Sequence, residues 1–234
     1  MRLAALFLLT LPVFAQTRHD NNANAWFQYF GDHPVAKSKW GIHLEGQWRR
    51  ANLGGTWQQL LLRPAINYQL TKNVSISGGY GFVYSHPYGD FPAARSNPEH
   101  RIFEQLQINK RVWKLEFANR FRLEQRNIGM ATGGYRYENR VRYQARTTVP
   151  LKLGDGKNYI ALADEIKFNF GKNVEKNVFD QNRAYVALGR DLGHQTRFEA
   201  GFMEQTIQRR GGLLFEHNHT LMFAIDSRMP FFGD

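Results

Sequence analysis

Apolar and charged residues alternate along most of this chain, and that alternation is the feature that most limits how it can fold. A β-strand turns successive side chains to opposite faces, so a period of two predicts a strand with one apolar and one ionic face. A helix would scatter the same charges around its axis. Segment 135–149 carries the pattern, and the clearest case is segment 112–126, where Leu115, Phe117, Phe121 and Leu123 oppose Glu116, Arg120, Arg122, Glu124 and Arg126.

Roughly eleven such segments follow one another, and many are about ten residues long, as a tilted strand that spans a bilayer requires. The sequence therefore predicts an all-β fold, an antiparallel transmembrane β-barrel of about 10–12 strands. Barrels of this class have an even strand number, so we expect either one further strand or that segment 25–30 lies outside the wall. The alternative is a soluble lipocalin-like barrel, which usually has about eight strands.

Two positions depart from the alternation. Asp164 falls on the apolar side of its strand, and Phe103 and Glu104 have exchanged sides in theirs. A β-bulge, which inserts one extra residue, would restore the pattern at either position.

The predicted connections alternate between tight and long. Barrels of the outer membrane have short periplasmic turns and longer external loops, so we place the long set outside the cell. The tight links are 70–72, 109–111, 151–157 and 191–195, and the long ones are 51–56, 85–98, 127–134, 171–177 and 207–214.

The N-terminus has the pattern of a secretory signal peptide. Arg2 precedes an apolar run from Leu3 to Phe14, and Val13 and Ala15 occupy the small-residue positions of a cleavage site. The run is shorter than the roughly 20 apolar residues of a membrane-spanning helix. We therefore predict export, cleavage of residues 1–15, and a single bacterial outer-membrane barrel domain at 16–234.

The chain contains no cysteine, which excludes disulfides and thiolate metal sites. Its formal net charge of +11 would suit a nucleic-acid binder. Export argues against that class, and so does the interleaving of arginine with glutamate. We expect no metal or other cofactor, because His217 and His219 share a strand face without an evident third ligand.

Several motifs occur in an order that resembles a known family. They include QLLLRPAINYQL, SISGGYGFVYS, EHRIFEQLQ, RFRLEQR, ENRVRYQARTTVPL, DEIKFNF, DQNRAYVALG and AGFMEQ. From about Trp26 to Met222 the chain resembles the uncharacterised bacterial family DUF2490. The resemblance implies an outer-membrane barrel with no known activity. Such barrels often end in an aromatic residue that the barrel assembly machinery, an expected partner, recognises, whereas Phe232 here is followed by Gly233 and Asp234.

The ionic faces converge on the predicted lumen, mostly in its outer half. One interpretation is that Arg and Glu pair across strands and fill a narrow lumen. The other is a constriction with excess arginine that passes anions or small solutes, with Ser75, Ser77, Gly79 and Gly81 leaving space along one wall. The predicted lumen network comprises Glu45, Arg63, Glu99, Arg101, Arg120, Arg122, Glu124, Arg136, Glu138, Arg140, Glu165 and Arg183.

An outer-membrane hydrolase is an alternative that the sequence supports weakly. The inward nucleophiles Ser75 and Ser77 lie on a strand separated by another from that of His43, too far for direct contact at about 4.8 Å per strand. Arginines near Glu99 and Glu165 would hold both carboxylates ionised. We therefore predict a non-enzymatic protein.

Four arginines fall near the predicted outer rim, which would face outer-membrane lipid. They either contact lipopolysaccharide phosphates or are solvated loop charges. They are Arg49, Arg50, Arg209 and Arg210.

Overall fold

The computed structural model describes residues 16–231 and contains eleven long strands. The predicted signal peptide and the residues from Phe232 onward lie outside that range. Within it, no helix is long and apolar enough to cross a membrane. The strands are β1 (Arg18–Pro34), β2 (Trp40–Ala51), β3 (Thr56–Thr71), β4 (Val74–Ser85), β5 (Asn97–Val112), β6 (Leu115–Gly129), β7 (Tyr135–Pro150), β8 (Asn158–Phe170), β9 (Phe179–Gly193), β10 (Thr196–Gln208) and β11 (Leu214–Ser227).

The strands close into one barrel in which consecutive strands pair antiparallel. Closure is made by β1 and β11, which pair parallel from Arg18 opposite Leu214 to Gly31 opposite Ser227. The prediction of an all-β barrel of this size is confirmed. The even strand number was wrong: residues 25–30 belong to β1, and the odd count of eleven leaves one neighbouring pair parallel.

The alternation continues unbroken where bulges were expected. Phe103 points into the barrel and is 1% exposed, while Glu104 faces outward. Pairing of β5 with both neighbours is regular through this point, so the predicted bulge was wrong. The Phe103 ring instead lies beneath the Arg122 guanidinium, 4.7 Å from the ring centroid, which gives an inward aromatic residue a favourable partner.

Asp164 also keeps its regular place in the ladder. Its carboxylate is exposed on the outer face, where both oxygens accept hydrogen bonds from the Asn182 amide at 3.1 Å. The Asn182 amide supplies hydrogen bonds to the Asp164 carboxylate, so no bulge is needed to turn Asp164 inward.

The connections divide between two ends of the barrel, as predicted. One end, here the short-turn end, carries residues 35–39, 72–73, 113–114, 151–157 and 194–195. The other, here the long-loop end, carries residues 52–55, 86–96, 130–134, 171–178 and 209–213.

The outer surface of the barrel is rich in large apolar side chains. Aromatic residues gather toward both ends of the wall. Trp40 packs edge-to-face on Tyr68 near the short-turn end, and Trp48 contacts Trp57 near the long-loop end. The exposed apolar residues between these groups include Leu62, Ile66, Ile76, Ile102, Phe121, Leu123, Leu162, Val186, Phe202 and Leu221.

Candidate functional site

The structure turns all twelve ionic residues of the predicted lumen network into the barrel. Nine are buried, and Arg120, Arg136 and Arg183 are partly buried along the walls of internal cavities. The nine are Glu45, Arg63, Glu99, Arg101, Arg122, Glu124, Glu138, Arg140 and Glu165.

Glu124, with 0% exposure, is the meeting point of three guanidinium groups. Arg140 donates to it at 2.5 and 2.8 Å, and Arg142 donates to it at 2.7 Å. Arg63 approaches from β3, with an N–O separation of 3.6 Å. A carboxylate on β6 thereby links both its own neighbour β7 and a strand across the lumen.

The remaining carboxylates extend this network around the wall. Glu165 accepts from Arg142 at 2.6 Å and from Arg120 at 3.0 Å. Glu99 holds both Arg101 and Arg126, and Glu45 pairs with Arg63, Glu138 with Arg126, Asp180 with Arg140, and Glu165 with Lys167.

The predicted list of twelve leaves out four members of this network. Arg126, Arg142 and Lys167 lie on the ionic side of their strands, as the alternation indicates. Asp180 lies beside the irregular pairing of β8 with β9, where Phe179 opposes Phe168 but Gln181 opposes Lys167. At such an irregularity, alternation does not determine which way a side chain points.

Two cavities remain inside the barrel. The long-loop cavity has a volume of about 550 Å³ and the short-turn cavity about 450 Å³. Five residues line both, and we call this layer the septum: Trp26, Glu45, Gln47, Arg142 and Arg183. The expectation that the charges gather in the outer half was wrong for Arg120 and Glu165, which line the short-turn cavity alone.

Cationic side chains outnumber carboxylates in both cavities. Twelve Arg and Lys residues and five Asp and Glu residues line the long-loop cavity. The short-turn cavity has nine of the former and six of the latter. The positive excess is therefore larger toward the long loops.

The predicted small-residue wall leaves no gap at Gly81. A Cβ placed there would lie 3.6 Å from Nε of Arg63 and 3.5 Å from Cβ of Arg101. These two arginine side chains already occupy the adjoining space.

The four rim arginines differ in where they point. Arg49 is buried inside the barrel, so neither alternative, lipopolysaccharide contact or a solvated loop charge, fits it. Arg209 pairs with Glu216 at the long-loop cavity, and Arg210 pairs with Glu175 at 3.1 Å. Arg50 lies on the outer face, its guanidinium carbon 5.4 Å from the Trp48 ring centroid.

Loop 86–96 reaches across the long-loop end from β4 to β1 and β11. The Tyr88 hydroxyl donates to Glu216 at 2.9 Å, and the Asp90 amide donates to Asp20 at 3.3 Å. Burial raises the pKa of Tyr88, and the nearby charge of Glu216 raises it further. The loop covers part of the cavity mouth.

The one histidine considered for catalysis bonds to carboxylates. Nδ1 of His43 lies 2.7 Å from Asp32, and Nε2 lies 3.6 Å from Glu45. Strand β3 separates His43 from Ser75 and Ser77 on β4. In residues 16–231 there is no group of three side chains suited to hold a metal ion.

Comparisons with known proteins match this chain to a family and to a relative that are both uncharacterised. The family described as "Protein of unknown function (DUF2490)" matches residues 23–215. An uncharacterised protein of Methylorubrum extorquens is 26% identical over an alignment of 174 residues that covers 68% of each chain. A solved structure of the NanC porin aligns with 82% of this chain and 90% of its own, at 11% identity and a TM-score of 0.46.

Proposed function

Because this chain belongs to the DUF2490 family, for which no activity is described, we propose its role from the barrel itself. The protein is a non-enzymatic barrel of the bacterial outer membrane whose lumen is filled at mid-height by an Arg/Glu network. It is exported with residues 1–15 as a cleaved signal peptide, which leaves 16–234 as one domain.

The outer surface supports placement in a membrane. Its strands have 12 to 17 residues, enough to cross the hydrocarbon layer at a tilt. Aromatic pairs lie toward both ends with further apolar residues between them, an arrangement typical of interfacial girdles. Arg50, beside Trp48, is positioned to contact lipopolysaccharide phosphates.

The observation that carries the proposal is the burial of charges in the middle of the lumen. Arg63 and Arg122 are 2% exposed, Lys167 is 1% exposed and Glu124 is 0% exposed. A water-filled passage at this height would leave some of these side chains accessible. Pairing with carboxylates offsets the desolvation of the guanidinium groups.

Conductance in a planar lipid bilayer tests the filled lumen. We expect the refolded chain from Gln16 onward to insert without passing steady current. Arg122→Ala should open a measurable current, because it removes a buried side chain that reaches from β6 toward Glu45 on β2, 3.8 Å away. The control Arg190→Ala removes an exposed cation from the outer face, and this variant should pass no steady current. Steady current through the unmodified barrel would contradict the proposal.

The second candidate is a narrow anion-selective pore. The excess of twelve cationic residues over five carboxylates in the long-loop cavity favours it, as charged rings do in selective channels. Reversal potentials under a salt gradient distinguish the two functions. A pore would carry steady anion-selective current, and Arg122→Ala would reduce its anion preference.

A further inference from the structure

Two arginines inside the barrel flank the indole of Trp26. The guanidinium carbon of Arg49 lies 3.9 Å from the ring centroid, and that of Arg183 lies 5.2 Å from it. Trp26 is 2% exposed and donates its indole N–H to Gln58 at 2.7 Å. This hydrogen bond holds the ring between the guanidinium groups of Arg49 on β2 and Arg183 on β9.

These two guanidinium groups are bound by amides. Arg49 donates to Gln47 at 2.9 Å and also to Gln59. Arg183 donates its Nε–H to Gln181 at 2.9 Å, and the Gln205 amide, with its oxygen turned toward Arg183, accepts from Nη2 at 3.0 Å. Amide oxygens satisfy N–H groups but carry no net charge that would balance a guanidinium.

Neither arginine has a carboxylate within hydrogen-bond distance. Within the described residues Arg49 forms no ion pair, and Arg183 pairs loosely with Glu165 on β8, at 3.7 Å. Arg126 and Arg140, by contrast, each donate to carboxylates at 2.5 Å. Burying a charge without a counter-ion is costly, so an anion beside this pair would be strongly favoured.

We propose that Trp26, Arg49 and Arg183 form a binding site for a small oxyanion that enters through the long-loop cavity. We call it the Trp26 site. All three residues line that cavity, which has room for the rest of a small organic acid. The site concerns binding alone and exists whether or not the barrel conducts.

The chemistry of the groups selects an oxyanion over a halide. Each guanidinium offers five N–H donors in a planar fork that matches the paired oxygens of a carboxylate or phosphate. Three N–H groups of Arg49 are used by Gln47 and Gln59, which leaves two free to bind a ligand. A spherical chloride ion would not use the fork in this way.

Isothermal titration calorimetry of the refolded chain in neutral detergent micelles tests this site. The titrants are inorganic phosphate, acetate and chloride at equal ionic strength. We expect saturable binding of one oxyanion or both, and weaker binding of chloride. Saturation by phosphate alone or by acetate alone would identify which oxyanion, phosphate or carboxylate, the site binds. Absence of saturation, or equal binding of chloride, would overturn the proposal.

Matched variants separate the Trp26 site from the general positive field of the cavity. Arg49→Gln and Arg183→Gln should each weaken oxyanion binding about tenfold or more. Arg95→Gln removes the same charge from the rim of the same cavity, where Arg95 bonds only to the Met130 carbonyl, and should change affinity little. Equal weakening by all three variants would overturn the proposal.

Arg49→Lys provides a check that does not remove the charge. Lysine retains the cation but loses the planar fork, so we expect oxyanion affinity to fall while the barrel remains folded. Fluorescence of Trp26, the inward tryptophan of the five, should change on titration with the oxyanion. An unchanged affinity in Arg49→Lys would contradict recognition by the fork.

Discussion

The two sides of the lumen bury arginines in different ways. On the paired side, formed by β5 to β8, Arg101, Arg126, Arg140 and Arg142 each contact a carboxylate at 2.7 Å or less. Arg122 is an exception on this side, because it donates to Gln105 and its nearest carboxylate, Glu45, is 3.8 Å away. On the amide side, formed by β9 to β11 with β1 and β2, Arg49 and Arg183 are held mainly by glutamines. The first arrangement balances its charge internally and serves the fold, whereas the second leaves a charge for a ligand to balance.

Cross-strand register accounts for part of the difference. On the paired side, Glu124 lies directly opposite Arg140, and Arg126 opposite Glu138. On the amide side, Arg49 lies opposite Gln59, whereas Arg183 lies opposite Gln205 on one neighbouring strand and opposite Glu165 on the other. Directly opposite residues have the closest side chains in a sheet, but the Arg183 guanidinium stays 3.7 Å from the Glu165 carboxylate.

The largest expected effect is on the paired side. Glu124→Gln should lower the free energy of unfolding by about 3–5 kcal/mol, because it leaves Arg140 and Arg142 without their shared counter-ion. Urea unfolding of the barrel refolded in lipid vesicles measures it. The control Glu104→Gln changes an exposed outer carboxylate and should shift stability by about 1 kcal/mol or less. Equal losses of unfolding free energy in the two variants would contradict the structural role of the buried ion pairs on the paired side.

A smaller effect is expected when an anion is added. At an oxyanion concentration tenfold above its dissociation constant, the unmodified barrel should gain about 1.4 kcal/mol of stability. Arg49→Gln should gain little, because the Trp26 site is then incomplete. Thermal unfolding with and without phosphate measures both values. A similar gain in the two proteins would place the bound anion elsewhere.

The rim above the amide side offers a third measurement. Tyr88→Phe removes the hydrogen bond to Glu216 and should cost about 0.5–1.5 kcal/mol. Since the pKa of Tyr88 is raised above its ordinary value of 10.0, the fold favours the neutral phenol. The stability that the Tyr88 phenol contributes is present below pH 10.0 and is lost as the pH rises above that value. The unmodified barrel should therefore lose more stability above pH 10.0 than Tyr88→Phe, and parallel losses would contradict this.

The smallest effect is expected for Arg49→Gln without added anion. Removing a buried guanidinium that has no carboxylate partner also removes its desolvation cost, so stability should change by about 1 kcal/mol or less. Arg140→Gln, the matched variant on the paired side, should cost about 3–5 kcal/mol. Urea unfolding in anion-free buffer compares the two. A large loss in Arg49→Gln would show that its amide contacts are structural.

Alternation in the sequence predicted the strands, the barrel and the inward direction of the twelve ionic residues, because each depends only on parity along a strand. Parity does not decide whether an inward position holds a charge, and the aromatic Phe103 takes one such position beneath Arg122. It also fails at the irregularity that turns Asp180 inward. Gln47 and Gln181 lie two residues before Arg49 and Arg183 on the same strands, within reach of a parity argument. The other amide partners, Gln59 and Gln205, depend on register between strands and could not be predicted from one strand at a time.

The parallel closure has a consequence for how the barrel assembles. Every antiparallel pair joins consecutive strands, so each can form as a local hairpin as soon as its two strands are available. Closure instead brings Arg18 to Leu214, across nearly the whole chain. Forming contacts between distant residues carries the largest entropy loss and slows folding. The barrel would therefore assemble as a curved, open sheet of hairpins, and the meeting of its first and last strands would be the late and slow event.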